Sequence, residues 1–313
     1  MKVMKGIGFR RVPLVAYTYF FLLFMIIIFG IFSPSSFFSL RNFRTILMHS
    51  TMVTIAAVGL FPVIIIGSIS LSTGSIFGIT GLSVCLIGTL FGPFIGLISG
   101  VLLGAILGSI DGFLMIKLKI PSFILTLGSM IVIRGLILLW GNARSIYFVS
   151  PLAVLSTFPT LFVITFLIVA FGFIVYNFMP FGQYLRAIGL NEEASKLSGI
   201  SVNKIKFFAF LWCGTFLGIS GVLQSYYMSA ATPTTGVGFE LIIITSVVIG
   251  GVPLTGGTGR IEGVFLGSLV MSILQNGLIM VGAGPEVKQI LMGIIIIIAV
   301  ATMLDRSAIK YVK

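Results

Sequence analysis

TILMHSTMVTIAAVGLFPVIIIGSISLSTGSIFGITGLSVCLIGTLFGPFIGLISGVLLGAILGSI, residues 45–110, runs for 66 residues without a lysine, arginine, aspartate or glutamate. No water-facing surface can be built from such a stretch. A helix crosses a bilayer with roughly 20 apolar residues, so the stretch is too long for two spans and tight for three. It leaves room for one helix that is broken or re-entrant. The remainder of the chain has the same character. Of 313 residues, 58% are hydrophobic and 8% charged, against about 25% charged in a soluble domain. The fold class expected is an all-α polytopic membrane protein, one transmembrane domain over 1–313, with lipid as the solvent for most side chains.

Working outward, the uncharged runs mark about ten helices, near 13–32, 46–66, 70–91, 93–114, 121–140, 160–180, 207–228, 239–257, 261–282 and 287–304. The basic start, MKVMKGIGFRR, precedes an apolar run without an A-x-A-like cleavage site and reads as a retained first helix. Ten spans from a cytoplasmic start put both termini in the cytoplasm. On that reading 14 of the 19 Lys and Arg lie inside. Four lie outside (Arg41, Arg44, Arg144 and Lys288), and Arg134 falls within a span. This is the positive-inside bias of a multi-pass protein. The net charge of +12 therefore belongs to loops and signals no nucleic-acid partner.

The chemistry that is missing narrows the function. One histidine, His49, and two cysteines within apolar runs, Cys85 and Cys213, exclude multi-His, zinc and iron–sulfur sites, so no metal and no cofactor are expected. No G-x-x-x-x-G-K-[ST] occurs, so the chain does not bind ATP through a Walker loop. Any Ser/His/Asp arrangement would need His49, which has no acidic neighbour in sequence. A membrane enzyme is not expected. The ionisable groups read within or near spans are few. Arg134, in IVIRGL, is either functional or close enough to an interface to snorkel. Glu240 starts the eighth span at the outer face, and Glu262 lies at the inner face. A ladder of buried acids, as ion-coupled carriers use, is missing.

Two glycine features stand out. Gly92, Gly96, Gly100, Gly104 and Gly108 fall four apart, a stripe that lets another helix approach closely. Residues 66–75 also align without gaps to residues 249–258, with four identities in ten positions. Paired Gly/Ser/Thr-rich interruptions of this kind point to a transport pathway. Candidate groups lining that pathway are Ser72, Gln224, Tyr226, Gln275 and Asn276. Their hydroxyls and amides suit a neutral polyhydroxylated solute, and suit helix–helix hydrogen bonding equally.

Residues 181–206, FGQYLRAIGLNEEASKLSGISVNKIK, form the longest polar cytoplasmic segment. Asn191 is placed to cap a short helix whose first turn holds Glu192 and Glu193, where negative charge suits the dipole. Gly199 is placed to end it in the left-handed conformation. A two-turn helix over about 192–198 should lie across the inner face, and a helix that short needs packing, which a partner could supply.

Gly189-Leu190-Asn191-Glu192-Glu193-Ala194-Ser195-Lys196-Leu197-Ser198-Gly199-Ile200 resembles the G-x-N-x-x-A-x-x-x-S-G-I signature of ATP-binding-cassette (ABC) importer permeases of the ribose and branched-chain amino-acid type. Ile120–Gly128 with Arg134-Gly135 resembles the family's [VI]-P-x-F-I-x-T-L-G run and its R-G. Pro233, Gly236, Gly238, Glu240 and Leu241 resemble Q-P-x-x-G-x-G-x-E-L, with Thr232 for the Gln. Val248–Gly251 and Gly256–Gly259 resemble V-[IL]-G-G-x-x-x-x-G-G-x-G, and Asn276-Gly277-Leu278 resembles N-G-L. One departure stands out: where the family has G-G-I-D-L-S-x-G, this chain has Ser70 for the Asp.

The resemblance implies an importer of two permeases, two cytoplasmic ATPase subunits and an extracytoplasmic solute-binding protein, in the bacterial inner membrane. ATPase coupling would fall on Asn191, Glu192, Glu193, Ala194, Ser195, Lys196, Ser198 and Gly199. The solute expected is a sugar or an autoinducer-2-like molecule, with nucleosides and branched-chain amino acids as alternatives and an ion-coupled carrier as the rival class. A second permease of unlike sequence that keeps the Asp is one interpretation of Ser70.

Overall fold

The structure, a computed structural model, describes residues 14–303. The basic residues Lys2, Lys5, Arg10, Arg11, Arg306, Lys310 and Lys313 lie outside the described residues. A helix falls on each of the ten stretches marked by the sequence and on the short one expected near 192–198, and two further short α-helices, α2 and α8, are added. The order is α1 Leu14–Phe32, α2 Pro34–Phe37, α3 Leu40–Ile65, α4 Thr73–Phe91, α5 Pro93–Leu118, α6 Ser122–Trp140, α7 Phe158–Phe178, α8 Pro180–Leu190, α9 Glu192–Leu197, α10 Val202–Met228, α11 Phe239–Ile249, α12 Ile261–Met280 and α13 Pro285–Met303. Among the described residues, sheet is limited to Ile146–Tyr147 paired antiparallel with Ala230–Ala231. The protein is a predominantly helical, multi-pass membrane protein.

Among the described residues, seven helices are long and apolar enough to cross a bilayer: α3, α4, α5, α6, α7, α10 and α12. The stretch expected to span 239–257 stops being helical at Ile249, where Gly250-Gly251 and then Pro253 end it. The eleven residues of α11 rise about 16 Å, half of a hydrocarbon core. The break expected in 45–110 lies between α3 and α4, at residues 66–72, and not inside a helix.

α3 is the central post: every residue from Ser50 to Ile65 is buried. α10 packs on it through Trp212, whose indole N–H donates to the Val58 carbonyl at 3.1 Å and whose ring stacks on Phe216 at 4.5 Å. α5 shows how the glycine stripe works. Gly96, Gly100, Gly104 and Gly108 are buried on one face while the large apolar residues of the helix face outward. A Cβ added at Gly104 would come within 2.8 Å of the Gly218 Cα, so backbone meets backbone along α5 and α10. Gly92 is not part of this contact. It forms the α4–α5 turn with φ +96, and a Cβ added there would meet nothing within 4 Å. Both cysteines are buried in these packed faces, Cys85 at 0% and Cys213 at 3% exposure.

Candidate transport site

The break at residues 66–72 carries backbone N–H groups that no helix ladder satisfies. In a bilayer each would be costly, because lipid offers no partner. α6 supplies them from one face. The Ser122 hydroxyl accepts from Ile69 N–H at 3.1 Å and the Thr126 hydroxyl accepts from Leu71 N–H at 2.9 Å. Ser129, one turn further, donates to the Asp111 carboxylate of α5 at 2.5 Å, and Ser72 donates to its other oxygen at 2.6 Å. Positions 122, 126 and 129 fall four and three apart, so they lie on one helix face. The extended segment thus climbs beside the first two turns of α6. Both Ser129 and Asp111 lie seven residues from the adjoining ends of their helices, about 10 Å at the helical rise. α4 therefore begins well inside the bundle.

A second segment enters from the opposite end. The chain leaves α10 at Met228, turns at 232–238 and starts α11 at Phe239. Arg134, twelve residues into α6 and so about 18 Å along it, holds this turn. Its Nη1 donates to the Thr235 carbonyl at 2.9 Å, Nη2 donates to the Gly236 carbonyl, and Nη2 lies 3.6 Å from the Glu240 carboxylate. Glu240 also accepts from Gly238 N–H at 3.3 Å, capping α11. Arg134 is thus paired inside the bundle, not snorkelling. Glu240, expected at the outer face, is drawn to mid-depth by it. The start of α4 packs directly on this turn. Gly74 has no room for a side chain, because a Cβ there would fall 2.5 Å from the Gly236 carbonyl oxygen and into the Glu240 carboxylate. Two helix starts, of α4 and α11, meet in the middle of the bundle, each with a carboxylate beside its positive end.

The sequence candidates for a solute path disperse. Ser72 sits at the break, fully buried. Tyr226 is buried at the far end of α10, where its hydroxyl donates to the Pro93 carbonyl at 2.8 Å. Gln275 faces Met292 of α13 across 3.7 Å. Asn276 is 6% exposed, with an Oδ1 that has no partner among the described residues. Gln224 is half-buried on α10. Asp111, 2% exposed, is absent from the inventory of charges read from the sequence. The hydroxyl face 122/126/129 is the pattern that could have drawn attention to it.

At the end where α3 stops and α6 starts, α8 and α9 form a platform. α8 was not expected; Phe181–Leu190, read as loop, is helical. α9 spans the expected place. The Asn191 side chain accepts from Ala194 N–H at 2.9 Å, and Glu192 and Glu193 occupy the first turn. Gly199 takes φ +84, which a residue with a Cβ adopts only under strain. Ser195 is buried; Asn191, Glu192, Glu193, Ala194, Lys196, Ser198 and Gly199 are exposed. Leu197, which the sequence reading passed over, is 90% exposed at the tip. Glu192 pairs with Lys206 at 2.7 Å. The platform rests on both glycine-rich interruptions: Gly257 N–H donates to the Ile65 carbonyl at 2.8 Å, and Gly189 packs against Gly257. A cleft of about 740 Å³ opens between α9, the α5–α6 turn and residues 66–69, lined on its polar side by Ser68, Lys119, Glu192, Lys196, Asn203 and Lys206.

Comparison with known proteins adds the following. The family described as "Branched-chain amino acid transport system / permease component" matches residues 42–300. The chain is 32% identical to the ribose import permease protein RbsC of Escherichia coli K12 over 290 residues, 89% of this chain and 90% of the relative. It is 32% identical to the D-allose transport system permease protein AlsC of the same strain over 302 residues, 94% of this chain and 92% of the relative. It is 31% identical to the L-arabinose transport system permease protein AraH of that strain over 279 residues, 87% and 84% respectively. No solved structure matches the chain.

Proposed function

The chain belongs to the family of branched-chain amino acid transport system permease components, and from that premise we propose that it is one permease subunit of an ABC importer for a small polyhydroxylated solute of the sugar class. It works in the bacterial cytoplasmic membrane as a single domain over 1–313, with ten spans and both termini in the cytoplasm. The observation that carries the proposal is the buried non-helical backbone at mid-depth, where the starts of α4 and α11 meet. Transporters build solute paths from interrupted helices of this kind. The relatives named for ribose, allose and arabinose support the sugar class. An autoinducer-2-like solute has the same hydroxyl chemistry and falls within the proposal.

The platform end faces the cytoplasm on this reading. Residues 181–206 are the coupling loop, and α9 is the lever on which a separate ATPase chain closes. ATP hydrolysis belongs to that chain. A second permease, like or unlike, completes the pathway, and a solute-binding protein docks at the opposite end. A rigid lever on a two-state bundle is the arrangement that such coupling needs.

Reconstitution tests this. The chain, its companion permease where one exists, an ATPase and a binding protein are placed in liposomes, and uptake of labelled pentose or hexose is followed. Uptake that requires both ATP and the binding protein is the expected result. One observation favours a second reading: Asp111 is a buried acid of the kind that ion-coupled carriers use. Accumulation driven by an ion gradient with no ATPase present would replace the ABC proposal by that reading.

A further inference from the structure

Ser70 stands where the resembling motif carries an aspartate, yet the space around Ser70 does not lack a carboxylate. Ser70 Oγ lies 3.1 Å from Ser72 Oγ, and Ser72 in turn donates to Asp111 Oδ2 at 2.6 Å. Asp111 Oδ1 accepts from Ser129 at 2.5 Å. Ser70 and Asp111 are each 2% exposed. Among the described residues no lysine, arginine or histidine lies within ion-pair distance of Asp111. A buried carboxylate without a cation is costly, and three features offset the cost here. Two hydroxyls donate to it in charge-assisted bonds, and it lies beside Ser72, the residue that precedes the first turn of α4, where the helix dipole favours negative charge.

We propose that Asp111 is a positioning residue for transport, supplying from α5 the carboxylate that the motif carries on the break at position 70. Through Ser72 and Ser129 it ties three elements at one point: the break, α5 and α6. The same three elements continue about 10 Å downward to form the wall of the cleft beside α9, through residues 66–69, 115–116 and 119–123. A movement of α9 pressed on that wall reaches the middle of the bundle through this clamp. The inference rests on the importer reading and deepens it. It also removes the need for a partner permease that keeps the Asp.

The clamp is tested with Asp111→Asn, Ser70→Asp and the double variant in the assembled complex. Asp111→Asn retains shape but loses one acceptor and the charge. Ser70→Asp alone puts two carboxylates around one hydroxyl cluster. Each single variant is expected to lower solute uptake by about tenfold, the scale of one charge-assisted hydrogen bond. Solute moved per ATP hydrolysed is expected to fall as well, which simple loss of folded protein would not cause. The double variant, with the carboxylate back at position 70, is expected to recover most of the uptake and the ratio. Wild-type uptake in Asp111→Asn, an unchanged ratio, or a double variant no better than Asp111→Asn overturns the proposal. If Asp111→Asn fails to fold, recovery of folded yield in the double variant still supports the clamp, and its failure overturns it. Should the unaltered complex show no ATP-driven uptake, the importer reading fails. Thermal unfolding of the same variants then decides the clamp by itself, through recovery or continued loss of Tm in the double variant.

Discussion

The Leu71 N–H has no helical neighbour to receive it, and the Thr126 hydroxyl takes that place at 2.9 Å. Thr126 has no exposed surface, so water cannot substitute. Thr126→Val retains shape and removes the acceptor, leaving a buried donor unpaired at a cost of about 1–3 kcal/mol. A corresponding drop in Tm of the detergent-solubilised protein is the expected outcome, and an unchanged Tm would mean that the break is held otherwise. Arg134 makes a stronger case. It satisfies two carbonyls of the 232–238 turn and pairs with Glu240, with side-chain exposures of 20% and 14%. Arg134→Gln strands the Glu240 charge and should cost about 3–5 kcal/mol, the typical price of breaking a buried pair from one side. Adding Glu240→Gln should recover part of that loss in the same unfolding measurement, since the stranded charge is then gone.

At the scale of elements, the helices follow from uncharged runs because lipid rewards apolar length directly. Ends and interruptions do not follow in this way. The eighth stretch looks like a full span through residue 257, but Gly250-Gly251 and Pro253 stop α11 after about three turns. Asp111 falls inside the stretch marked near 93–114, and the continuation of α5 to Leu118 sets it two turns in from the helix end, where it is buried. The Ser122, Thr126 and Ser129 face gains its meaning from a neighbouring strand-like segment that the sequence does not place beside it. α9 was legible because capping is local: Asn191 and Gly199 act within a few residues of themselves. What capping chemistry does not announce is Leu197, apolar and 90% exposed at the tip. A partner groove that buries it would gain about 1.5–3 kcal/mol. Leu197→Asp should therefore weaken co-purification with the ATPase by tenfold or more while Tm and membrane insertion stay unchanged. Paired charge reversal at Glu192 and Glu193, or Gly199→Pro, should lower transport-coupled ATP hydrolysis. The Glu192–Lys206 pair is half-exposed and worth little to stability, so a loss of coupling there speaks for docking. Intact coupling in all these variants would refute the lever.

For the whole molecule, the two ends differ in kind. One carries the α8–α9 platform and a lysine-lined cleft; the other carries the short two-stranded pairing and the Gly92 turn. The excess of basic residues at the platform end predicts that this end is cytoplasmic. A cytoplasm-active reporter fused after Lys313 should give signal, and signal from a periplasm-active reporter alone would invert the assignment. α6 and α7 leave most of their large side chains unburied in the single chain, so those faces are open to lipid and, on the proposal above, to a second permease. Cys85 and Cys213, sealed at 0% and 3% exposure, have a practical corollary. Water-soluble maleimides should pass over both native thiols, so engineered cysteines can be walked along residues 66–72 in an otherwise unaltered chain, and their labelling rates would chart, site by site, when the interior becomes wet.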